Sequence, residues 1–287
     1  MNLGFVGLGH LGKAIAGRLH DCGHSLAVWN RTPGKAEGLK ATTAAALPEL
    51  ADAVDIIFIC LFDSKAVGEV LTGPTGLLTG GVTGKIIIDA TTNHFREVLN
   101  FHEYCAKAGC IYLEAPVLGS VVPASQGALT VLVSGEKQGY DRSRAVLEDV
   151  GKHIFYLAEP GLATKMKLIN NLTLGSFMAT LAEAVALAED VGLAKKDVLD
   201  ILSVGGGNSL VLNAKKNALL VEDFSTQFSS SLIYKDLHCL QDLAYDRQIP
   251  LFTGAITKEL YAKACAEGMG NEDFSSIYRI FKQESKP

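Results

Sequence analysis

Metal and disulfide chemistry have little to build on in this chain. The six cysteines (Cys22, Cys60, Cys105, Cys110, Cys239 and Cys265) form no C-x-x-C pair, and the seven histidines form no H-x-x-x-H spacing. Neither a zinc site nor a disulfide framework is expected, and no metal is assigned. Lysine and arginine never cluster beyond a pair, and the net charge is −5, which argues against a nucleic-acid partner. No apolar run approaches ~18 residues without a polar interruption. The opening "MNLGFVGLGHLGK" also lacks the basic region, long apolar run and cleavage site of a signal peptide. The expectation is a soluble, cytoplasmic protein with no membrane partner, and the acidic balance still permits an anionic small substrate.

What is present is ample core: 287 residues with 48% hydrophobic content, more than one average domain needs. Short β-branched runs alternate with helical patterns through the first half: "LGFVG", "SLAVW", "DIIFICL", "KIIIDA", "CIYLEA", "LTVLVSG" and "HIFYL". That alternation predicts a doubly wound, mostly parallel α/β sheet of Rossmann type. Runs apolar at every position, such as Ile56 to Leu61 and Ile86 to Ile88, suit strands covered on both faces. After Pro160 and Gly161 the pattern turns helical, beginning with proline-free sequence from about Thr164 to Val191 and broken at "GGGN", "EDF", "RQIP" and "GMGNED". The chain thus divides into a dinucleotide-binding domain, 1–160, and an all-helical substrate and dimerisation domain, 161–287.

"GFVGLGHLGKAIAGRL" sets Gly7, Gly9 and Gly12 in G-x-G-x-x-G register between a first strand and a helix. Gly7 permits the tight turn, Gly9 lets a pyrophosphate approach the backbone, and Gly12 lets helix pack on strand, with Leu8, His10 and Leu11 filling the loop. The second strand ends at Asn30-Arg31-Thr32, where a carboxylate would hold the ribose hydroxyls of NAD. Arg31 instead offers a guanidinium suited to a 2′-phosphate, with Asn30 and Thr32 able to donate further hydrogen bonds, so NADP(H) is favoured.

The helical stretch "LATKMKLINNLTLGS" carries Lys167 and Asn171 four residues apart, hence on one face with Leu174, Gly175 and Met178. A lysine–asparagine pair on an apolar helix can be a solvated face or a chemical device. "GGGN", Gly205 to Asn208, follows helical sequence and reads as a helix end and turn rather than a second phosphate cradle. The lone Trp29 reads as core or rim packing. The small residues Gly175, Ser176, Ala179, Ala182, Ala184, Ala186 and Ala188 permit close helix packing, within the domain or across a dimer.

Four motifs, in order, resemble the β-hydroxyacid dehydrogenase family, relatives of 3-hydroxyisobutyrate dehydrogenase, over essentially the whole chain. They are "GFVGLGHLG"; "EAPVLGSVVPASQGAL", Glu114 to Leu129; "GLATKMKLINN"; and "YKDLHCL". The resemblance implies that Lys167 and Asn171 are catalytic. It places the adenosine and nicotinamide sides of the cofactor against "CLFD", with Leu61, Phe62 and Asp63, and against "DATTN", with Thr92 near the nicotinamide. Lys235, followed by Asp236, would reach back toward the active site on the cofactor side, and Leu118, Gly119, Ser120, Lys167 and Asn171 would contact substrate. With Lys167 at the cleft between the domains, its ammonium could stabilise and protonate the oxygen of a carbonyl accepting hydride. Partial burial would lower its pKa toward neutrality.

Departures from the pattern bear on substrate. Where the family usually reads P-V-S-G-G, or P-V-S-G-S in the branch resembling glyoxylate and succinic semialdehyde reductases, this chain has Val117-Leu118-Gly119-Ser120, so the carboxylate-binding hydroxyl is gone. Val121 and Val122 stand where that branch often carries lysines, and Ala163 replaces a glycine of the lysine motif. The expected function is NADP(H)-dependent hydride transfer to a small carbonyl acid, semialdehyde or glyoxylate-like, by a homodimer or homotetramer. The alternatives are imine reduction on the same fold, against which Lys167 argues, and a catalytically silent nucleotide-binding module. Oxidative decarboxylation of a sugar acid phosphate lacks evident basic residues around 118 to 126.

Overall fold

The computed structural model describes residues 1–32 and 34–282, so the last five positions of the expected second domain lie outside the described residues. Among the described residues nine strands form one sheet: β1 Asn2–Val6, β2 Ser25–Trp29, β3 Thr42–Thr43, β4 Ile56–Ile59, β5 Ile86–Asp89, β6 Ile111–Glu114, β7 Val117–Leu118, β8 Leu129–Gly135 and β9 Gly151–Tyr156. Their spatial order is β3-β2-β1-β4-β5-β6-β8-β7, with β9 beside β8. Pairing is parallel from β3 through β6 and antiparallel where β8 meets β6 and β7. The order reverses direction between β1 and β4, the switch point at whose carboxyl ends doubly wound sheets bind ligands.

Strand side chains divide between two cores as a sheet buried on both faces requires. Phe5, Phe58 and Ile88 join one cluster, while Val6, Ile57, Ile59 and Ile87 join the other. Helix α1, His10–Asp21, lays Gly12, Ile15, Ala16 and Leu19 against the first of these, an i, i+3, i+4, i+7 stripe. Helices α2 Leu47–Ala53, α3 Ser64–Thr72, α4 Glu97–Lys107, α5 Val121–Ser125 and α6 Lys137–Val150 complete the alternation. Trp29 packs partly buried against the second cluster.

Beyond the sheet come α7 Leu162–Asp190, α8 Lys195–Val204, α9 Leu210–Val221, α10 Ser230–Asp246, α11 Phe252–Ala266 and the short α12 Tyr278–Phe281. The chain forms two compact units that divide inside α7, between Lys167 and Leu168. Gly205 ends α8, so "GGGN" is a helix end and turn. By length and composition the 29-residue α7 could cross a membrane. Of its apolar residues Leu168, Met178, Ala182 and Val185 are buried inside the protein, while Ile169, Phe177 and Leu187 are exposed. A Cβ on Gly175 would lie 3.4 Å from Ile233, Leu237 and Thr257, so the small residues there serve contact with α10 and α11 within the second unit.

Candidate active site

The glycine loop is fitted to its surroundings at two of its three glycines. Gly7 has φ +97, and a Cβ there would stand 2.2 Å from the Cys60 carbonyl oxygen; at Gly12 it would stand 2.1 Å from the Gly7 carbonyl oxygen. At Gly9 it would meet nothing within 4 Å. Gly9 is the N-cap of α1, whose start has no side-chain cap and no acidic residue in its first turn. Uncapped backbone N–H groups and the positive end of the helix dipole beside open space suit a phosphate anion. Leu8 N donates to Asn30 Oδ1 at 2.9 Å, and Asn30 Nδ2 donates to the Thr32 carbonyl at 2.9 Å, so Asn30 braces the glycine loop against the turn carrying Arg31. Arg31, Thr32 and His10 are exposed and Leu11 is half-buried. These groups fit the dinucleotide read from the sequence, with Arg31 free of any carboxylate neighbour in its own tripeptide.

The loops after β4 and β5 are held by a buried carboxylate. Asp89 accepts from Thr91 N, Asn93 Nδ2 and Tyr112 Oη at 2.8, 2.8 and 2.6 Å. Burial raises its pKa above the ordinary aspartate value, against the lowering effect of those bonds. Thr91 Oγ1 accepts from Leu61 N at 2.9 Å, and Asn93 Oδ1 accepts from Ser64 Oγ at 3.1 Å, so one carboxylate organises both segments. Asp63 caps α3 by accepting from Ala66 N at 2.9 Å, Phe62 is exposed, and Thr92 is half-buried.

Lys167 is only 8% exposed. It sits on α7 shortly after a start pinned by Glu114, which accepts from Gly161 N, from Thr164 N at 3.0 Å and from His102 Nε2 at 3.0 Å. Asn171, fully buried, donates Nδ2 to Asp236 Oδ2 at 2.6 Å and accepts from Asn170 Nδ2 at 3.1 Å. Lys235 Nζ lies 2.7 Å from Asp236 Oδ1, so Lys235, Asp236 and Asn171 form one chain in the second unit. Leu118 is half-buried at the end of β7, Gly119 takes φ +126 where a Cβ would strike Leu129 at 2.6 Å, and Ser120 precedes α5 without capping it through its side chain.

Sequence reasoning gave no role to His102, Ser134 or Tyr112, and placed Asp89 and Glu114 only as members of the segments "DATTN" and "EAPVLGSVVPASQGAL". The one signal available was a carboxylate ending an otherwise apolar strand, at "IIID" and "IYLE". Among the described residues no group of His, Cys, Asp and Glu could hold a metal ion.

Residues 2–158 match the model for the NAD binding domain of 6-phosphogluconate dehydrogenase, and residues 161–281 match that for the NAD-binding region of NADP-dependent 3-hydroxyisobutyrate dehydrogenase. The chain is 35% identical to mouse (Mus musculus) cytokine-like nuclear factor N-PAC across 97% of its own length, and spans about half the length of that relative (50%). It is 31% identical to the chloroplastic glyoxylate/succinic semialdehyde reductase 2 of Arabidopsis thaliana, covering 98% of this chain and 80% of the relative. The structure of a 3-hydroxyisobutyrate dehydrogenase from Salmonella typhimurium superposes with a TM-score of 0.90 at 26% identity, covering 98% of this chain and all (100%) of that one. The chain belongs to the 3-hydroxyisobutyrate dehydrogenase-like family of NAD(P)-dependent hydroxyacid dehydrogenases.

Proposed function

We propose that the protein is an NADP(H)-dependent reductase of small carbonyl acids, of the semialdehyde or glyoxylate type, yielding the hydroxy acid. The observation that carries this reading is Lys167, a lysine buried to 8% exposure and belonging to the same compact unit as the glycine loop. Bound NADPH would supply the hydride. Lys167 would donate a hydrogen bond, and then a proton, to the carbonyl oxygen as negative charge develops there. Asn171, one helical turn on, is fixed by Asp236 and holds the register of that face. Backbone amides near Gly119 and Ser120 would take the substrate carboxylate, with Leu118 contributing apolar surface. Arg31 supports the choice of NADP(H) over NAD(H), because its guanidinium can pair with a 2′-phosphate.

The name of the Arabidopsis relative supports the substrate class. The deciding experiment is a panel of short aldehyde and keto acids assayed with NADPH and with NADH. Turnover of a semialdehyde or glyoxylate with NADPH supports the reading, and no turnover of any member overturns it. A second reading, a dinucleotide-binding module without turnover, is kept because N-PAC is named as a nuclear factor rather than an enzyme, and the same panel separates it when paired with an NADPH-binding titration. A homodimer or homotetramer is proposed as the working form, since Val204 and Phe252 of the helical unit stand 88% and 81% exposed. Light scattering behind size exclusion tests it, and a monomeric mass would refute it.

A further inference from the structure

The start of α7 is anchored from the carboxyl ends of two neighbouring strands. Glu114 and Ser134 are direct cross-strand partners where β6 meets β8. Glu114, 1% exposed, receives Gly161 N and Thr164 N; Ser134, fully buried, receives Ala163 N at 3.0 Å. Three N–H groups that a helix start would otherwise leave without partners are thus satisfied by side chains about 30 to 50 residues away in sequence. The carboxylate also meets the positive end of the helix dipole. His102, from α4, closes the set: its Nε2 bonds Glu114 Oε1 at 3.0 Å, while its ring lies edge-on against Tyr112 at 4.8 Å. Glu114 therefore has donors on both oxygens and cannot rotate without losing at least one of them. Lys167 follows Thr164 by three residues, which puts the two on neighbouring positions of one helix face.

We propose that Glu114, clamped by His102, is a positioning residue for Lys167: it fixes the first turn of α7 and so sets where the ammonium stands. The proposal rests on the reading of Lys167 as the proton donor. It also accounts for a buried carboxylate in a place where apolar packing would carry a smaller desolvation cost. Burial alone would raise the Glu114 pKa, and the bonds from His102, Gly161 and Thr164 outweigh it and hold the group below the ordinary glutamate value. The carboxylate is accordingly charged near neutrality.

The test compares Glu114→Gln, His102→Leu and His102→Gln with Ser209→Ala, which removes the N-cap of α9 far along the chain from this segment. An amide at 114 must set one N–H against a backbone N–H. A displacement of the reacting group by about 1 Å costs about a hundredfold in rate. Glu114→Gln should therefore lower kcat by about that factor, with substrate KM and NADPH affinity changing by less than about threefold. His102→Leu should fall in the same direction and His102→Gln, which keeps a donor, should recover most of the loss. Ser209→Ala should lower the melting temperature and leave kcat unchanged. Equal losses in kcat for Glu114→Gln and Ser209→Ala, or none in either, would show that Glu114 is a structural cap only. Should the parent reduce no carbonyl acid, the proposed function fails, and the clamp is read from acetylation of Lys167 by mass spectrometry. Labelling at least about tenfold faster in Glu114→Gln supports the clamp, tenfold being one lost buried charge-assisted bond, and an unchanged rate overturns it.

Discussion

Alanine at two glycines only three positions apart should do opposite things, and the geometry says which. At Gly12 a Cβ would lie 2.1 Å from the Gly7 carbonyl oxygen, a backbone atom that cannot swing aside, and 3.2 Å from Phe5 in the core. Relieving it requires α1 to move off the sheet, at a cost of about 1–3 kcal/mol for overpacking. That corresponds to a melting temperature lower by about 2–12 °C for a unit of this size. At Gly9 the backbone has φ −69 and ψ −177, which alanine adopts without strain, and the Cβ meets nothing within 4 Å. Gly9→Ala should therefore hold its melting temperature, or gain about 0.4–1 kcal/mol from a stiffer unfolded chain. The same methyl stands where a pyrophosphate must approach the N-terminus of α1. Loss of one charge-assisted bond costs about 1.5–3 kcal/mol, or about ten- to a hundredfold in dissociation constant. The assay is a pair of measurements on each variant: thermal unfolding without cofactor, and NADPH titration by fluorescence. If Gly9→Ala binds NADPH as tightly as the parent, the glycine loop is not the phosphate seat, and the cofactor site drawn above is wrong.

Arg31→Ala should narrow the preference for NADPH over NADH by about tenfold or more, the worth of a charge-assisted bond to phosphate; equal efficiencies with the two cofactors in the parent would refute the assignment. Lys167→Ala should reduce turnover by about a hundredfold or more while NADPH affinity stays close to that of the parent, and retained turnover would return Lys167 to a packing role. Leu118→Ser should improve kcat/KM for glyoxylate or succinic semialdehyde by about tenfold or more through a hydroxyl bonded to carboxylate, and worsen it for less polar carbonyl compounds; equal losses toward both classes would make Leu118 a packing residue. Because the folded pKa of Glu114 is depressed, its charge stabilises the fold above the ordinary glutamate range and that contribution is lost as pH falls through the folded value. The stability gap between the parent and Glu114→Gln should therefore shrink on acidification, as read by denaturant unfolding at neutral and acid pH, and a gap independent of pH would contradict the assignment.

The sheet was legible because its signals are local. "IIFI" and the Ile86 to Ile88 run of "IIID" are short, β-branched and apolar at consecutive positions, as suits a strand covered on both faces, and Gly7 and Gly12 stand where backbone atoms approach closely. Two strands escaped notice, Thr42–Thr43 and Val117–Leu118, because two residues carry no period. Lys167 and Asn171 were legible as a helical pair four apart. What holds them was not. The cap on α7 comes from Glu114 and Ser134, which meet only because β8 runs antiparallel to β6 in one particular register. Asp236 was visible as the neighbour of Lys235, but its bond to Asn171 spans 65 residues of sequence and two helices.

That register explains more than the cap. Asp89 pairs with Glu114 across β5 and β6, and Glu114 pairs with Ser134 across β6 and β8, so three polar side chains stand at one level, at the last or next-to-last positions of three adjacent strands. Each is 1% exposed or less, and each accepts at least one backbone N–H from beyond the sheet: Asp89 from Thr91, Glu114 and Ser134 from the start of α7. The two carboxylates are neighbours in the same layer, yet their acidities move in opposite directions. Burial acts on both in the same sense. Asp89 receives bonds only from neutral donors (Thr91, Asn93 and Tyr112), and burial prevails. Glu114 receives two N–H groups at a helix N-terminus and a histidine, and the partners prevail. Asp89 organises the loop that carries Thr91 and Asn93, within an expected cofactor segment, and Glu114 organises the start of the helix that carries the lysine. Had rigidity been the sole requirement, apolar packing would have met it at lower cost than two buried carboxylates in adjacent strands. Their placement at the carboxyl ends of the strands, where a doubly wound sheet binds its ligands, ties that cost to the geometry of the site rather than to the stability of the fold.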